Sequence, residues 1–203
     1  MTVDILAELK RRTADLHRGI EAVVPLMAPA LTLEQYAEYL GRLYPFYSAV
    51  EARLAAITGL RSAVPDLDAR WKTEILARDL RALGKLPEDD MDLSLVPELH
   101  SVPQALGCLY VLEGSTLGAQ ILIRSVHGTL GREVEDKTGF LAGYGENTAF
   151  RWRQLSGCLV SYLTGANDRE TAVIAARATF MDLHEWLVRG QRLHQYEGEF
   201  AVR

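Results

Sequence analysis

The chain has 203 residues, 48% of them hydrophobic and 24% charged, with a formal net charge of −5. That length can bury a sizeable core, and the acidic balance without a dense Lys/Arg run argues against a nucleic-acid platform. The two cysteines, Cys108 and Cys158, read as small buried hydrophobes rather than a disulfide framework. No signal peptide or membrane-spanning window is evident, so a cytoplasmic protein with no membrane contact is expected.

The first helix is predicted from Val3 to Val24, ending near Pro25 and Pro29. Ile5, Leu6, Leu9, Thr13, Leu16 and Ile20 recur at three- and four-residue steps. On that helix Lys10, Thr13, His17 and Glu21 form one stripe. A neutral imidazole there can ligate a metal through one ring nitrogen while Glu21 accepts from the other. Read alone, the stretch favours the plainer account, a hydrogen-bonded core histidine beside a solvated glutamate.

Thr32 with Gln35 is a capping box for a second helix through Leu54, carrying Tyr36, Tyr39, Leu40, Leu43, Phe46, Tyr47 and Val50. Its aromatics read as core, and Pro45 is expected to bend it. Thr58 to Val64 reads as a turn. Asp66 is the expected N-cap of a third helix, with Leu67, Trp71, Ile75, Leu80 and Leu83 inward and Gly84 at its end. Lys85 to Leu99 reads as an acidic surface loop with one short turn at most.

Ser101 and Gln104 form a second capping box, with Pro103 in the first turn where proline is tolerated. The helix behind it, ALGCLYVLEGSTLGAQILIRSVHGTLG, is strongly apolar yet holds Gly107, Gly114 and Gly118. Each interior glycine costs about 1 kcal/mol relative to alanine. Either something approaches the backbone closely, or small residues serve helix–helix packing. Gly131 to Gly145 is irregular. Asn147 is the expected cap of a fifth helix through Thr164, with Phe150, Trp152, Leu155, Cys158, Leu159 and Tyr162. Asn167 with Glu170 suggests a capping box for a last helix of roughly 25 residues, with Val173, Ala176, Phe180, Leu183 and Leu187 inward. The tail from residue 192 to 203 is polar and expected to fray. No strand pattern, fixed repeat or linker appears. The fold class is all-α: one domain over residues 1–203, a bundle of six to seven helices.

Several chemistries fail on these residues. There is no Glu-x-x-His, no HExxH, no paired-Cys zinc site, no GxSxG and no strand-borne phosphate loop. What remains is one histidine facing a glycine-interrupted buried helix. A flat, large, apolar cofactor such as haem between them accounts for both.

LKRRTADLHRGIE resembles the proximal helix of the bacterial, biliverdin-producing haem oxygenases, with Thr13, His17 and Glu21 in register. LYVLEGSTLGAQ resembles their distal helix, with Gly114, Gly118 and Gln120 in register. The two motifs stand about a hundred residues apart, and the other helices fit the same fold end to end.

The resemblance implies haem as substrate and cofactor at once. O2 and an external reductant, a ferredoxin or flavoprotein reductase, would open the ring to biliverdin, CO and free iron. A biliverdin-using photoreceptor is a possible downstream partner. It makes His17 the proximal iron ligand, with Glu21 fixing its tautomer. Gly114, Ser115 and Gly118 would line the catalytic distal side. Lys10, Thr13, Tyr110 and Arg153 complete the haem-binding set, Lys10 and Arg153 as propionate partners. Ser115 stands where animal-type members carry an Asp that anchors a water chain. Leu109 stands where the family often has Tyr, with Tyr110 next to it, and Gly157 replaces a basic partner. Lys10 favours α-edge cleavage, with a rotated haem as the alternative. Two other function classes stay open: a non-catalytic haem-binding or haem-transfer protein, and another enzyme on the same helical fold.

Overall fold

A computed structural model describes residues 4–88 and 90–200, with side chains described as far as Arg189. Among them no strand occurs. Six helices carry the fold: α1 (Ile5–Val23), α2 (Leu33–Ala55), α4 (Thr73–Ala82), α5 (Val102–Leu130), α7 (Thr148–Tyr162) and α8 (Ala166–Phe200). Two single turns, α3 (Leu60–Ala63) and α6 (Gly139–Ala142), complete the series. The all-α expectation holds. The backbone of α8 is helical to Phe200, and the end of the expected frayed tail lies outside the described residues.

α5 is the centre. It packs along α8 and against α6, α7 and the turn at residues 131–134, while α1 lies on α8 and α2 on α4. Its buried residues include Ala105, Leu106, Cys108, Leu109, Val111, Leu112 and Ala119. Burial pushes the Cys108 thiol up to about 12, so it behaves as a small hydrophobe. The expected inward set of α8 is buried throughout, from Val173 to Leu187. In α7, Leu155 and Leu159 are buried while Phe150 is 51% exposed.

α5 also corrects the expectation that no segment could span a membrane. By length and composition it is apolar enough to do so. Half of its apolar window is buried inside the fold, which is the position of a core helix.

The local start signals divide by what else competes for them. Thr32 and Gln35 form the full capping box, at 3.2 and 3.0 Å. Ser101 accepts from Gln104 N, while the Gln104 side chain accepts from His100 N at 2.8 Å. The predicted helix from Asp66 is split. A 3-10 turn at Leu67–Arg70 is followed by an extended Trp71, and α4 begins only at Thr73. The Asp66 carboxylate is taken by Arg70 and Arg151, so it caps nothing. Glu51 of α2 replaces it from a distance, accepting from Lys72 N at 2.5 Å and from Thr73 N at 3.2 Å. Gly84, at φ +75°, follows the end of α4 as expected.

Asn147 makes no side-chain cap, because the Thr148 hydroxyl donates to Gly145 O across that corner. Asn167 lies inside α8, which begins at Ala166. Glu170, its expected partner, is held by Arg12 of α1 instead. α2 runs as one helix through Pro45.

Two glycines bring their segments close to other parts of the chain. A Cβ at Gly107 would lie 2.0 Å from the carbonyl oxygen of Ala172, so α5 and α8 touch there backbone to backbone. Gly143, at φ +58°, lets the loop after α6 press on Thr116, 2.4 Å from where a Cβ would stand.

Gly107→Ala tests the first contact. Helix propensity alone would favour the change by about 1 kcal/mol. The collision with Ala172 wins, and the Tm should fall by roughly 5 °C. A rise in Tm in thermal denaturation would contradict the close approach.

Candidate functional site

α1 is started by Asp4, whose Oδ1 accepts from Leu6 N at 3.0 Å and Ala7 N at 3.3 Å. Ile5, Leu9 and Thr13 turn into the core, while Lys10, His17 and Glu21 stay exposed. The buried Thr13 hydroxyl donates to Leu9 O at 2.8 Å. The His17 side chain is 54% exposed, with Nδ1 3.4 Å from Glu21 Oε1. Its ring meets the edge of Phe180 on α8, centroids 5.9 Å apart at 74°. One face of the imidazole is thus steadied and one nitrogen is directed to Glu21, which leaves Nε2 for a ligand.

α5 comes up to α1 at Tyr110. The Tyr110 phenol faces the Thr13 side chain, and burial raises its pKa. Tyr110 also packs on Trp152 of α7, centroids 5.7 Å apart. From there the next turns of the two helices carry His17 and Glu21 on one side and Gly114 and Gly118 on the other. A Cβ at Gly114 would touch the Trp152 ring at 3.9 Å, an ordinary contact. A Cβ at Gly118 would meet nothing within 4 Å. Ile121, one turn on, is 62% exposed. The glycines of α5 therefore divide: Gly107 serves packing, while Gly118 borders open space.

Ser115 is exposed, and its hydroxyl donates to Leu112 O at 2.6 Å. The Tyr47 hydroxyl on α2 lies 3.2 Å from the same oxygen and, with the serine proton so engaged, is the donor to it. Burial holds the Tyr47 phenol far above its ordinary range, which keeps it protonated. Tyr47 is the residue that reading by periodicity missed. Its one available signal was chemical: a tyrosine deep in an apolar stripe needs a partner for its hydroxyl. Lys10 and Arg153 are both exposed. Gln120 turns elsewhere, donating to Ala142 O at 3.2 Å and tying α6 to α5.

Behind Gly114 lies a buried charge cluster. Glu113 accepts from Arg70 Nη1 at 2.7 Å and from Tyr144 Oη at 2.7 Å. Arg70 also donates to Asp66 and to Arg151 O, and Arg151 donates to Asp66 at 2.7 Å. Lys72 Nζ sits 3.4 Å above the Tyr144 ring. Among the described residues no group of three or more His, Cys, Asp or Glu side chains is assembled to hold a metal. A separate surface groove of about 500 Å³, lined by Asp66, Gln154, Gly157, Cys158 and Tyr162 among others, contains none of the residues between α1 and α5.

The Heme oxygenase family model matches residues 3–189. The chain belongs to that family, a class of enzymes. The haem oxygenase PigA of Pseudomonas aeruginosa is 30% identical over 112 residues, 55% of this chain and 56% of that protein, so the match spans little more than half of its length. The haem oxygenase of Xanthomonas campestris pv. campestris is 29% identical over 126 residues, 61% of this chain and 71% of that one. Among solved structures, the NO- and CO-bound haem oxygenase of Neisseria meningitidis has a TM-score of 0.77 at 24% identity, covering 92% of this chain and 91% of its own. Haem oxygenase-1 of the cyanobacterium Synechocystis, solved with haem, has a TM-score of 0.69 at 17% identity, covering 98% of each chain.

Space beside Gly118 can be measured without any ligand. Gly118→Leu should leave the helical circular dichroism unchanged and the Tm equal or slightly raised, because helix propensity gains about 1 kcal/mol and nothing is struck. A large fall in Tm would mean that the position is packed.

Proposed function

We propose that this chain is a biliverdin-forming haem oxygenase, holding haem between α1 and α5 and opening it with O2 and external electrons, with release of CO and iron. One observation carries the reading. The family match from residue 3 to residue 189 takes in both helices, in which Tyr110 faces Thr13 while His17 and Gly118 are exposed.

Haem as substrate supplies the iron at which O2 is reduced and the ring edge that is cut. The residues do the rest. His17 Nε2 would ligate the iron while Glu21 accepts from Nδ1–H and fixes the tautomer. Their 3.4 Å separation is long for a hydrogen bond, and ligation that fixes the ring would shorten it. Gly114 and Gly118 keep side chains off the distal face, and Ile121 adds apolar surface at its edge. Lys10 and Arg153 would pair with the two propionates, reaching from exposed positions on α1 and α7. Lys10 in that role seats the ring for α-edge cleavage.

Ser115 would hold the water that delivers the distal proton. Its oxygen accepts from Tyr47 and donates to Leu112 O, which leaves one lone pair for a water. A proton would reach the distal side through that water, with no carboxylate on the side chain. The electrons come from a ferredoxin or flavoprotein donor, and the released biliverdin could serve a photoreceptor that binds it.

Hemin added to the protein should give a Soret band, and reductant with O2 should replace it with the biliverdin spectrum, of the α isomer. His17→Ala should lose the histidine-ligated spectrum and all turnover; a variant spectrum identical to the wild type would sink the assignment. Gly118→Leu, neutral without hemin, should weaken hemin binding. A Soret band that never yields biliverdin would favour a haem carrier.

Ser115→Ala should slow decay of the oxygenated complex by roughly tenfold without stopping it, since a neutral hydrogen bond is worth about 0.5–1.5 kcal/mol. Single-turnover spectra and product analysis decide this. Unchanged decay would put the proton route elsewhere.

A further inference from the structure

Lys72 is the one member of the cluster behind Gly114 that gains no hydrogen bond from its ammonium group. Its side chain is 4% exposed, and Nζ has no hydrogen-bond partner. Nζ lies 3.4 Å from the Tyr144 ring centroid and 3.9 Å from Glu113 Oε1. It is faced by Glu51 from α2, Glu113 from α5, Arg70 from the turn before α4, Tyr144 from the loop after α6 and Arg151 from α7. A buried ammonium with three unmet donors is costly. Glu113 does not need it, being already bonded by Arg70 and Tyr144. What Lys72 adds is charge.

That charge completes a balance. Arg70, Lys72 and Arg151 stand against Asp66, Glu51 and Glu113, so neutral Lys72 leaves the cluster one negative charge in excess. Glu113 is the nearest carboxylate on α5, one residue from Gly114 and two from Ser115. A helix segment weakened by Gly114 and Gly118 takes its position from such outside attachments.

We infer that Lys72 is a positioning residue: its ammonium, between the Tyr144 ring and the Glu113 carboxylate, holds the Leu112–Gly118 segment and the Tyr47–Ser115 pair in place against the haem face. The inference rests on the proposed function for the identity of that ligand.

Burial lowers the Lys72 pKa to about 8, outweighing the opposing pull of Glu113 and Glu51. The unfolded chain keeps this proton to its ordinary value of 10.5. Between those values the unfolded state binds more protons, so this group's contribution to stability rises with pH there. The attachment to Tyr144 and Glu113 is lost over the same window. Global stability and the order of the distal segment should therefore move in opposite directions near pH 8.

The test begins with hemin-free protein and lysine labelled with carbon-13. The Lys72 Cε resonance, assigned by its loss in Lys72→Met, should titrate near pH 8. The backbone amides of Leu112–Gly118 should shift with the same midpoint. Lys72→Arg should hold those amides at their low-pH positions across the range, and Lys72→Met should remove the inflection. In the hemin-loaded wild type, the rate of hemin loss to an apoglobin acceptor should rise severalfold from pH 7 to 9, and Lys72→Arg should abolish the rise. Lys72 titrating with no movement of the distal amides would overturn the inference, and the wild-type titration reads this even if Lys72→Met does not fold. Hemin failing to bind the wild type would instead overturn the proposed function, leaving the amide titration to stand or fall on its own.

Discussion

A backbone carbonyl fixes the central helix. With no Cβ at Gly107, α5 comes against Ala172 of α8 at a distance that no other residue allows. Everything that α5 presents further along is measured from that contact. The helix is a poor one by propensity, with Gly107, Gly114, Gly118 and Gly128 in its interior. It is long and straightforwardly buried on one side only. Its position therefore depends on attachments from the neighbours: Arg70 and Tyr144 on Glu113, Ala142 O on Gln120, and the tight turn at Gly143 against Thr116.

These attachments all leave one stripe alone. Gly114, Gly118 and Ile121 are spared by α6 and the loop after it, which grip α5 through Gln120 and Thr116. α1 is likewise held from behind. Arg12 reaches Glu170, Arg177 reaches Asp15, and Phe180 backs the His17 ring. Both helices are secured on their outer sides, and Tyr110 of α5 faces Thr13 of α1. Packing on the outer sides thus leaves the flank of α5 at Gly118 open.

How much of this was legible in the sequence follows from the range of each interaction. The helices of α1, α2, α5 and α8 were written in apolar periodicity, because each buries a stripe whose spacing is set by the helix itself. The Thr32–Gln35 box was legible because both partners are local. Asp66, Asn147 and Asn167 misled because the same side-chain types have distant or competing uses: Arg151 takes Asp66, Thr148 closes the corner beside Asn147, and Arg12 takes the Glu170 that Asn167 required. Glu51 capping α4 from another helix could not be read from spacing at all. In the candidate site, the His17–Glu21 pairing was visible as one helical turn. The division of labour between Gly107 and Gly118, and the role of Tyr47, needed the neighbours in three dimensions.

The same neighbours give a physical reason for a hydroxyl at position 115. Burial raises the Tyr47 phenol most, and the charges of Glu51 and Glu113 push it further in the same direction. An aspartate beside that phenol would be a third carboxylate in one partly buried region, and repulsion would raise its pKa and tend to neutralise it. A protonated acid there would keep only its carbonyl oxygen to accept from Tyr47 and would add a donor that needs a partner of its own. Ser115 avoids the conflict. It accepts from Tyr47 at 3.2 Å and returns its own proton to Leu112 O at 2.6 Å, with no charge to desolvate. The carboxylates have been placed one layer back, where Arg70 and Lys72 can answer them, and the exposed layer is left neutral.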